Sequence, residues 1–261
     1  MNMLQCGQFK VRIVLFLIYR SSSLNIEVRM SKEDNNQNIL ESNAITWTNK
    51  DNLNYYENIP IELLQQYAVI GGFDNGCDVD IVYDDYIAHA KSIIDVGAGY
   101  GRVLQHLLDR GYTGKLIAIE RSKKFYNFMR NKFSNEIDIF NCSVDDFVCK
   151  TPADIVLWMW SNISEWPQQE QAGALKLLSG FCKPGGFLIL DTISHLMTPM
   201  NVTAYSTQSY VAETEYGTAY GYIPSLNEID LYAKEIGAVS IKHIPYKTST
   251  GRDRFIHILG F

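Results

Sequence analysis

A chain of 261 residues with 46% hydrophobic and 20% charged positions is long enough to bury a sizeable core and has the make-up of an ordinary globular protein. Its formal net charge of −6 and pI near 5.4, with no basic stripe along the chain, speak against nucleic acid as a partner, because phosphate binding needs clustered Lys and Arg. The five cysteines (Cys6, Cys77, Cys142, Cys149, Cys182) are odd in number and form no C-x-x-C pair, so free thiols and a cytoplasmic location are expected.

Ile13 to Tyr19 is a run of seven apolar residues between Arg12 and Arg20. A bilayer takes about 20 such residues, and no small-x-small cleavage site follows, so neither a membrane span nor a signal peptide is expected. Met30 opens the polar stretch MSKEDNNQNILES, and residues 1–45 read as a disordered leader or an over-extended start. A membrane-surface segment and an added strand or helix are the alternatives. From Trp47 the chain turns aromatic, with Tyr55 and Tyr56, and Pro60 can open a helix carrying Ile61, Leu63, Leu64 and Tyr67 that ends at Gly71-Gly72. A second helical stretch is expected over about Val79 to Ala90.

Ser92 to Val96 is a short apolar run with Asp95 near its end, the pattern of a buried strand. Gly97, Gly99 and Gly101 follow as a turn that can come close to a ligand because it lacks Cβ atoms. Val103, Leu104, Leu107 and Leu108 then share one face of a helix that stops at Gly111, and Lys115 to Ile119 is a second strand ending in Glu120. Strand, glycine loop, helix, strand and acid make half of a nucleotide-binding α/β domain. In the dinucleotide fingerprint G-x-G-x-x-G the third glycine would fall at position 102, which is Arg102.

The alternating Gly97-Ala98-Gly99-Tyr100-Gly101, with IIDV before it and Glu120 after it, resembles the first motif of the class I S-adenosylmethionine-dependent methyltransferases. The resemblance implies a Rossmann-like α/β fold with a seven-stranded, mostly parallel sheet, an antiparallel last strand and an N-terminal helical cap. It implies S-adenosylmethionine as cofactor, with Asp95, Gly97, Ala98, Gly99 and Gly101 at the loop, Glu120 on the ribose hydroxyls and Arg121 beside it. The cap, residues 46–91, would lie over the cofactor cleft and bring Tyr55 to the substrate; Tyr55 and Tyr56 read equally well as packing aromatics.

After Glu120, Ser122 can cap a helix with Phe125, Phe128, Met129 and Phe133 on one face, and Ile137 to Cys142 reads as a third strand. In the family the next residues meet the adenine. An acid is common at the first of these positions; here it is Ser143, followed by Val144, Asp145 and Asp146. Ser143 and Val144 are the favoured contacts with Asp145 as a substitute, while the two acids also read as a solvated turn. Asp154 to Trp160 is a fourth strand, apolar enough to be buried on both faces. Ligands of open parallel sheets sit beyond the carboxyl ends of the strands, which puts Trp158 and Met159 near the cofactor and Trp160 and Asn162 near the substrate. WMWSNI is not the N-P-P-Y or D-P-P-Y of nucleobase and glutamine amino-methylases.

A helix over Pro167 to Phe181, the K-P-G-G of Lys183 to Gly186 and a fifth strand at Phe187 to Leu190 continue the resemblance, with Asp191 and His195 expected after the strand. Leu196 to Pro224 holds no Lys or Arg, two acids, and Tyr205, Tyr210, Tyr216, Tyr220 and Tyr222. It reads as a lid insertion (196–224) that offers Tyr205 and Tyr210 to a neutral or cationic acceptor, or as a plain hairpin with cross-strand tyrosines. Ser225 caps a helix ending before Gly237, and the strands Val239–Tyr246 and Arg254–Phe261 close the chain.

Methyl transfer from a sulfonium is an in-line displacement with an activated leaving group, so positioning dominates and a base is needed only where the acceptor must lose a proton. His195, Glu165 and the tyrosines of the lid are the candidates for that base, and His195 also reads as a surface or structural histidine. No His, Cys and Asp cluster has metal-ligand spacing, so no metal is expected. The leading reading is methylation of an O or N atom of a small molecule. Methylation of a protein side chain or terminus and an inactive cofactor-binding scaffold are the alternatives; a nicotinamide oxidoreductase is disfavoured by Arg102 and by the closing strand pair.

Overall fold

The computed structural model describes residues 46–133, 136–194, 203–204 and 208–261. The leader 1–45, His195 and Tyr205 lie outside the described residues. Period-two alternation in the strands sorts side chains to two faces of one sheet. In β1 (Ser92–Val96), Ile93 joins the core under α4 (Arg102–Asp109) and α5 (Lys123–Phe133), while Ile94 and Val96 join the core under α6 (Gln168–Ser179) and α7 (Leu226–Glu235). The same split recurs in β4 (Ala153–Trp158), with Ile155 and Leu157 on one side and Val156 and Trp158 on the other. Strands buried on both faces are what a parallel sheet between helix layers requires.

The sheet is completed by β2 (Lys115–Ile119), β3 (Asp138–Phe140), β5 (Cys182–Ile193), β9 (Ser240–Lys247) and β10 (Asp253–Gly260), in the order β3-β2-β1-β4-β5-β10-β9. The five strands β3 to β5 in that order are parallel, and β10 runs antiparallel between β5 and β9. This is the seven-stranded, mostly parallel architecture the glycine motif implied. Among the described residues no helix is long and apolar enough to cross a membrane.

The cap is a 3-10 turn (Asn49–Asn52), α1 (Leu53–Asn58), α2 (Ile61–Gly71) and α3 (Cys77–Tyr83). Gly72 ends α2 in the left-handed region, and Phe73 N–H returns to Ala68 O at 2.8 Å. Tyr55, Ile59, Leu64, Ala68 and Phe73 bury themselves with Tyr100 and Phe125 in a third, separate core. Between β5 and α7 lies a second sheet of β6 (Thr203–Ala204), β7 (Ser209–Thr214) and β8 (Gly217–Tyr222), the last two an antiparallel hairpin.

Three expectations are corrected. The helix over Val79 to Ala90 is α3 plus a separate 3-10 turn at Ile87–His89. Asp84 and Asp85, poor helix formers at the carboxyl end where the helix dipole disfavours acids, separate them. The strand expected to begin at Phe187 already begins at Cys182, with K-P-G-G inside it: pairing to β4 slips between Ala153↔Cys182 and Ile155↔Phe187, and Gly185 N–H bonds Phe261 O at 2.6 Å. Asp191 does not follow that strand; it lies within it, fully buried, because Ser161 N–H, Arg254 and Tyr246 satisfy its oxygens.

Candidate active site

Three glycines of one loop have three different surroundings. A Cβ on Gly97 would lie 2.7 Å from the Asn162 amide and one on Gly101 would lie 2.5 Å from the Phe133 ring, whereas one on Gly99 would meet nothing within 4 Å. All three have positive φ, from 57° to 79°. Gly97 and Gly101 therefore serve packing, and Gly99 faces open space. Across that space stands Glu120, directly after β2. Its Oε2 accepts Gly99 N–H and its Oε1 accepts Ser122 N–H, each at 2.7 Å. Burial pushes its carboxyl up to about 7 against the opposing pull of these two amides. Asp95, at the end of β1, is 2% exposed with no hydrogen-bond partner on Oδ2, and burial pushes it up to about 8.

Beyond β4 the chain makes an abrupt bend. Trp160 and Ser161 both adopt left-handed φ values of 58° and 59°, a conformation costing on the order of 1–3 kcal/mol for each non-glycine residue. Side chains hold it in place: Ser161 N–H donates to Asp191 at 2.9 Å, Arg254 donates to Ser161 Oγ at 2.6 Å, and Asn162 Nδ2 donates to Val96 O and Gly97 O at 3.0 and 3.2 Å. Arg254 Nε meets Asp191 at 2.8 Å, with Tyr246 OH on the same oxygen at 3.1 Å. A second buried pair, Arg102 with Asp78, is bidentate at 2.8 and 2.6 Å; burial disfavours the Asp78 charge, but Arg102 prevails and the carboxyl is lowered. Both guanidiniums lie near the Phe73 ring, at 5.2 and 4.8 Å from its centre.

The far wall comes from the cap and the hairpin. Asn52 Nδ2 donates to Glu165 O and Tyr220 O at 3.3 and 3.1 Å, while its Oδ1 accepts Tyr220 N–H at 2.8 Å. Trp47 stacks on Tyr220 at 5.6 Å. Glu165 ends the 3-10 turn Asn162–Glu165, with Tyr56 OH on one carboxylate oxygen and Arg121 at 3.4 Å from the other. One continuous cleft of about 290 Å³ runs from Gly99 and Glu120 past Trp160 to Tyr55, Tyr210 and Glu165.

Residues 93–186 match the family model described as a methyltransferase domain. The class I methyltransferase arrangement follows from the strand order, the glycine loop and that match together. Residues 93–186 thus carry a methyltransferase domain, and the fold around them is that of the class I S-adenosylmethionine-dependent enzymes. Similar solved structures carry the same fold. CalS10, an amino pentose methyltransferase from Micromonospora echinaspora, is 14% identical, with 77% of this chain and 97% of that chain covered at a TM-score of 0.57. An S-adenosylmethionine-dependent methyltransferase from Clostridium acetobutylicum is 11% identical over 77% and 98%, at 0.58. One from Leishmania major is 17% identical over 81% and 82%, at 0.58. No curated protein sequence matches the chain.

Within this methyltransferase domain, Asp95, Gly97, Ala98, Gly99, Glu120, Arg121, Ser143, Val144, Trp158 and Met159 all line the cleft. So do Tyr55, Trp160, Asn162, Tyr210 and Glu165. Gly101 and Asp145 do not. Gly101 turns toward Phe133 and Met129, and Asp145 is exposed beside Thr48 and Lys50 in a shallow neighbouring groove. Asn162, expected at the substrate, spends its amide N–H on the glycine loop. Residue reading missed three arginines: Arg102, Arg252 and Arg254 line the cleft together with the expected Arg121, although the tyrosine-rich insertion itself has none. The signals were available in Asp191 and Arg254, each a charge inside an apolar strand, which only a buried pair accommodates. Among the described residues no group of three or more His, Cys, Asp or Glu is arranged to hold a metal ion.

The residues present fit S-adenosylmethionine. Gly99 leaves open the space a side chain would fill, and each Glu120 oxygen keeps a lone pair beyond its amide bond for a hydroxyl. The orphaned Asp95 oxygen is a site that a positive group would relieve.

Proposed function

We propose that the protein moves a methyl group from S-adenosylmethionine to an O or N atom of a small molecule. One observation carries this reading: the cleft that begins at the glycine loop continues without a break past the end of β4 and is walled at its far side by the cap and the hairpin. Cofactor and acceptor share this one cleft, and its far side, closed over by the cap and the hairpin, favours a compact acceptor over a protein segment. The cofactor supplies a methyl group on a sulfonium that is already activated to leave. What the chain supplies is position: Glu120 and the loop fix one end, and Trp158 and Met159 close the floor. The cap (46–91) and the β7–β8 hairpin act as the acceptor wall, with Tyr55, Trp160 and Tyr210 as its surface. A neutral or cationic acceptor fits this wall, since Arg102 and Arg254 are already matched to Asp78 and Asp191.

Isothermal titration with S-adenosylmethionine and S-adenosylhomocysteine tests the reading. Both should bind, and Glu120→Ala should weaken them roughly 30- to 150-fold, the equivalent of about 2–3 kcal/mol for charged hydrogen bonds. No heat with either ligand overturns it.

A further inference from the structure

The carboxylate of Glu165 has an unusual position for a group so enclosed. It lines the cleft with its side chain 24% exposed, it stands at the acceptor wall, and it is bound from two sides by groups of different chemistry. Tyr56 of α1 donates a phenol hydrogen bond to Oε1, and Arg121, the residue after Glu120, reaches Oε2 through one contact at 3.4 Å. The contrast with the acids that pair with the cleft's arginines from behind is one of distance. Asp78 and Asp191 have guanidinium nitrogens at 2.5 to 2.8 Å, tight enough to cancel their charge, while Arg121 stands farther off and gives its better bond, at 2.7 Å, to Asn49 O. Glu165 therefore keeps negative character directed at the cleft, and each oxygen keeps a lone pair. The groups facing it are Tyr55 and Tyr56 from α1, Tyr210 from β7, and Arg121 and Glu120 beyond β2.

From this geometry we infer that the acceptor is a compact amine, whose ammonium docks on Glu165 and gives that carboxylate one proton before it is methylated. The inference rests on the methyltransferase reading above and names its substrate class. An ammonium has no lone pair, so one N–H bond must break first; its pair stays on nitrogen and the proton forms an O–H bond on Glu165. The nitrogen pair then forms the new C–N bond as the methyl–sulfur bond breaks with its pair going to sulfur, leaving a neutral thioether and a methylated ammonium. A carboxylate suits this transfer and suits an alcohol poorly, because an alcohol holds its proton far more tightly than an ammonium near the lysine value of about 10. Burial lifts the Glu165 carboxyl above its usual range, against the opposing pull of Arg121 and the Tyr56 hydroxyl, which brings it nearer to the amine it must relieve. The tyrosine rings around it add the aromatic surroundings that favour an organic cation.

The test is a titration on the full chain saturated with S-adenosylhomocysteine, using phenethylamine, cyclohexylamine and methylamine against the alcohols of the same shape. At least one amine should bind about tenfold or more tighter than its alcohol, and Glu165→Gln should erase that difference while still binding S-adenosylhomocysteine. In Tyr56→Phe the carboxylate loses the hydrogen bond that stabilises its charge, so the pH at which amine affinity falls off on acidification should move upward. A residue with a purely structural role would not move that midpoint, and this arm decides the matter should Glu165→Gln fail to fold. Equal binding of amine and alcohol, amine affinity unchanged in Glu165→Gln, or no amine bound by a protein that does bind S-adenosylhomocysteine would each overturn the inference. A protein that binds no S-adenosylhomocysteine would instead overturn the cofactor reading and this one with it.

Discussion

The two ends of the cleft are built in opposite ways. The cofactor end is made mostly by one contiguous piece of chain, Ser92 to Ser122, and largely by backbone: two amides on Glu120, a loop of glycines, and strand ends fixed by parallel pairing. The acceptor end is made by side chains from α1, the turn after β4, the β7–β8 hairpin and β10, separated by up to 168 residues in the hydrogen bonds that join them. Backbone construction depends on local sequence and tolerates little change. Side-chain construction depends on pairings between distant residues, so a single substitution can alter it while the sheet stays intact.

The sharpest way to break that contrast is Asp191→Ala. It leaves Arg254 buried without its counter-charge and releases Ser161 from its left-handed bend, so unfolding in urea should show a loss of about 3–5 kcal/mol. Replacing Asp191 and Arg254 together with apolar residues should cost much less, because no orphaned charge remains.

A smaller effect is expected from acid. His257 in β10 is fully buried, with Thr192 on Nε2 at 2.8 Å and His243 on Nδ1 at 2.6 Å, and burial pushes it down to about 3 from 6.5. The unfolded chain takes up the proton at the higher pH, so the stability His257 contributes is complete above about 6.5 and is lost as pH falls from there toward 3. Urea midpoints measured between pH 7 and 4 should decline, and a flat profile would refute the burial of a neutral imidazole.

The smallest effect distinguishes the glycines. Gly101→Ala and Gly99→Ala share a left-handed strain of about 1–2 kcal/mol. Only the first adds a clash, with Phe133, and only the second fills open space in the cleft. Stability should fall further in Gly101→Ala and cofactor affinity further in Gly99→Ala, as thermal unfolding and calorimetric titration would show.

The same division explains what could be read from residues alone. The strands, the glycine loop, Glu120 and the cap of α7 at Ser225, where Glu228 completes the box at 2.8 Å, are local patterns and stand where periodicity and spacing put them. The length of β5 was hidden because K-P-G-G looks like a turn until its bulge is paired with Phe261. Asp145, read either as a substitute adenine contact or as part of a solvated turn, sits in a 3-10 turn at Val144–Asp146 and is exposed, a difference that turned on local backbone geometry. Glu165 was legible as an acid near a strand end. Its partners Tyr56 and Arg121 were not, because nothing in a single sequence marks contacts 109 and 44 residues apart.

Asn52 has a consequence for traffic through the cleft. Its amide occupies both backbone groups of Tyr220, as a neighbouring strand would, and its Nδ2 also reaches Glu165 O. Over the far end of the cleft, cap and hairpin are thus fastened to each other as well as to the sheet domain. Parting one from the other would expose a buried amide and two peptide groups at once, so this single side chain sets a cost on opening the cleft from that side.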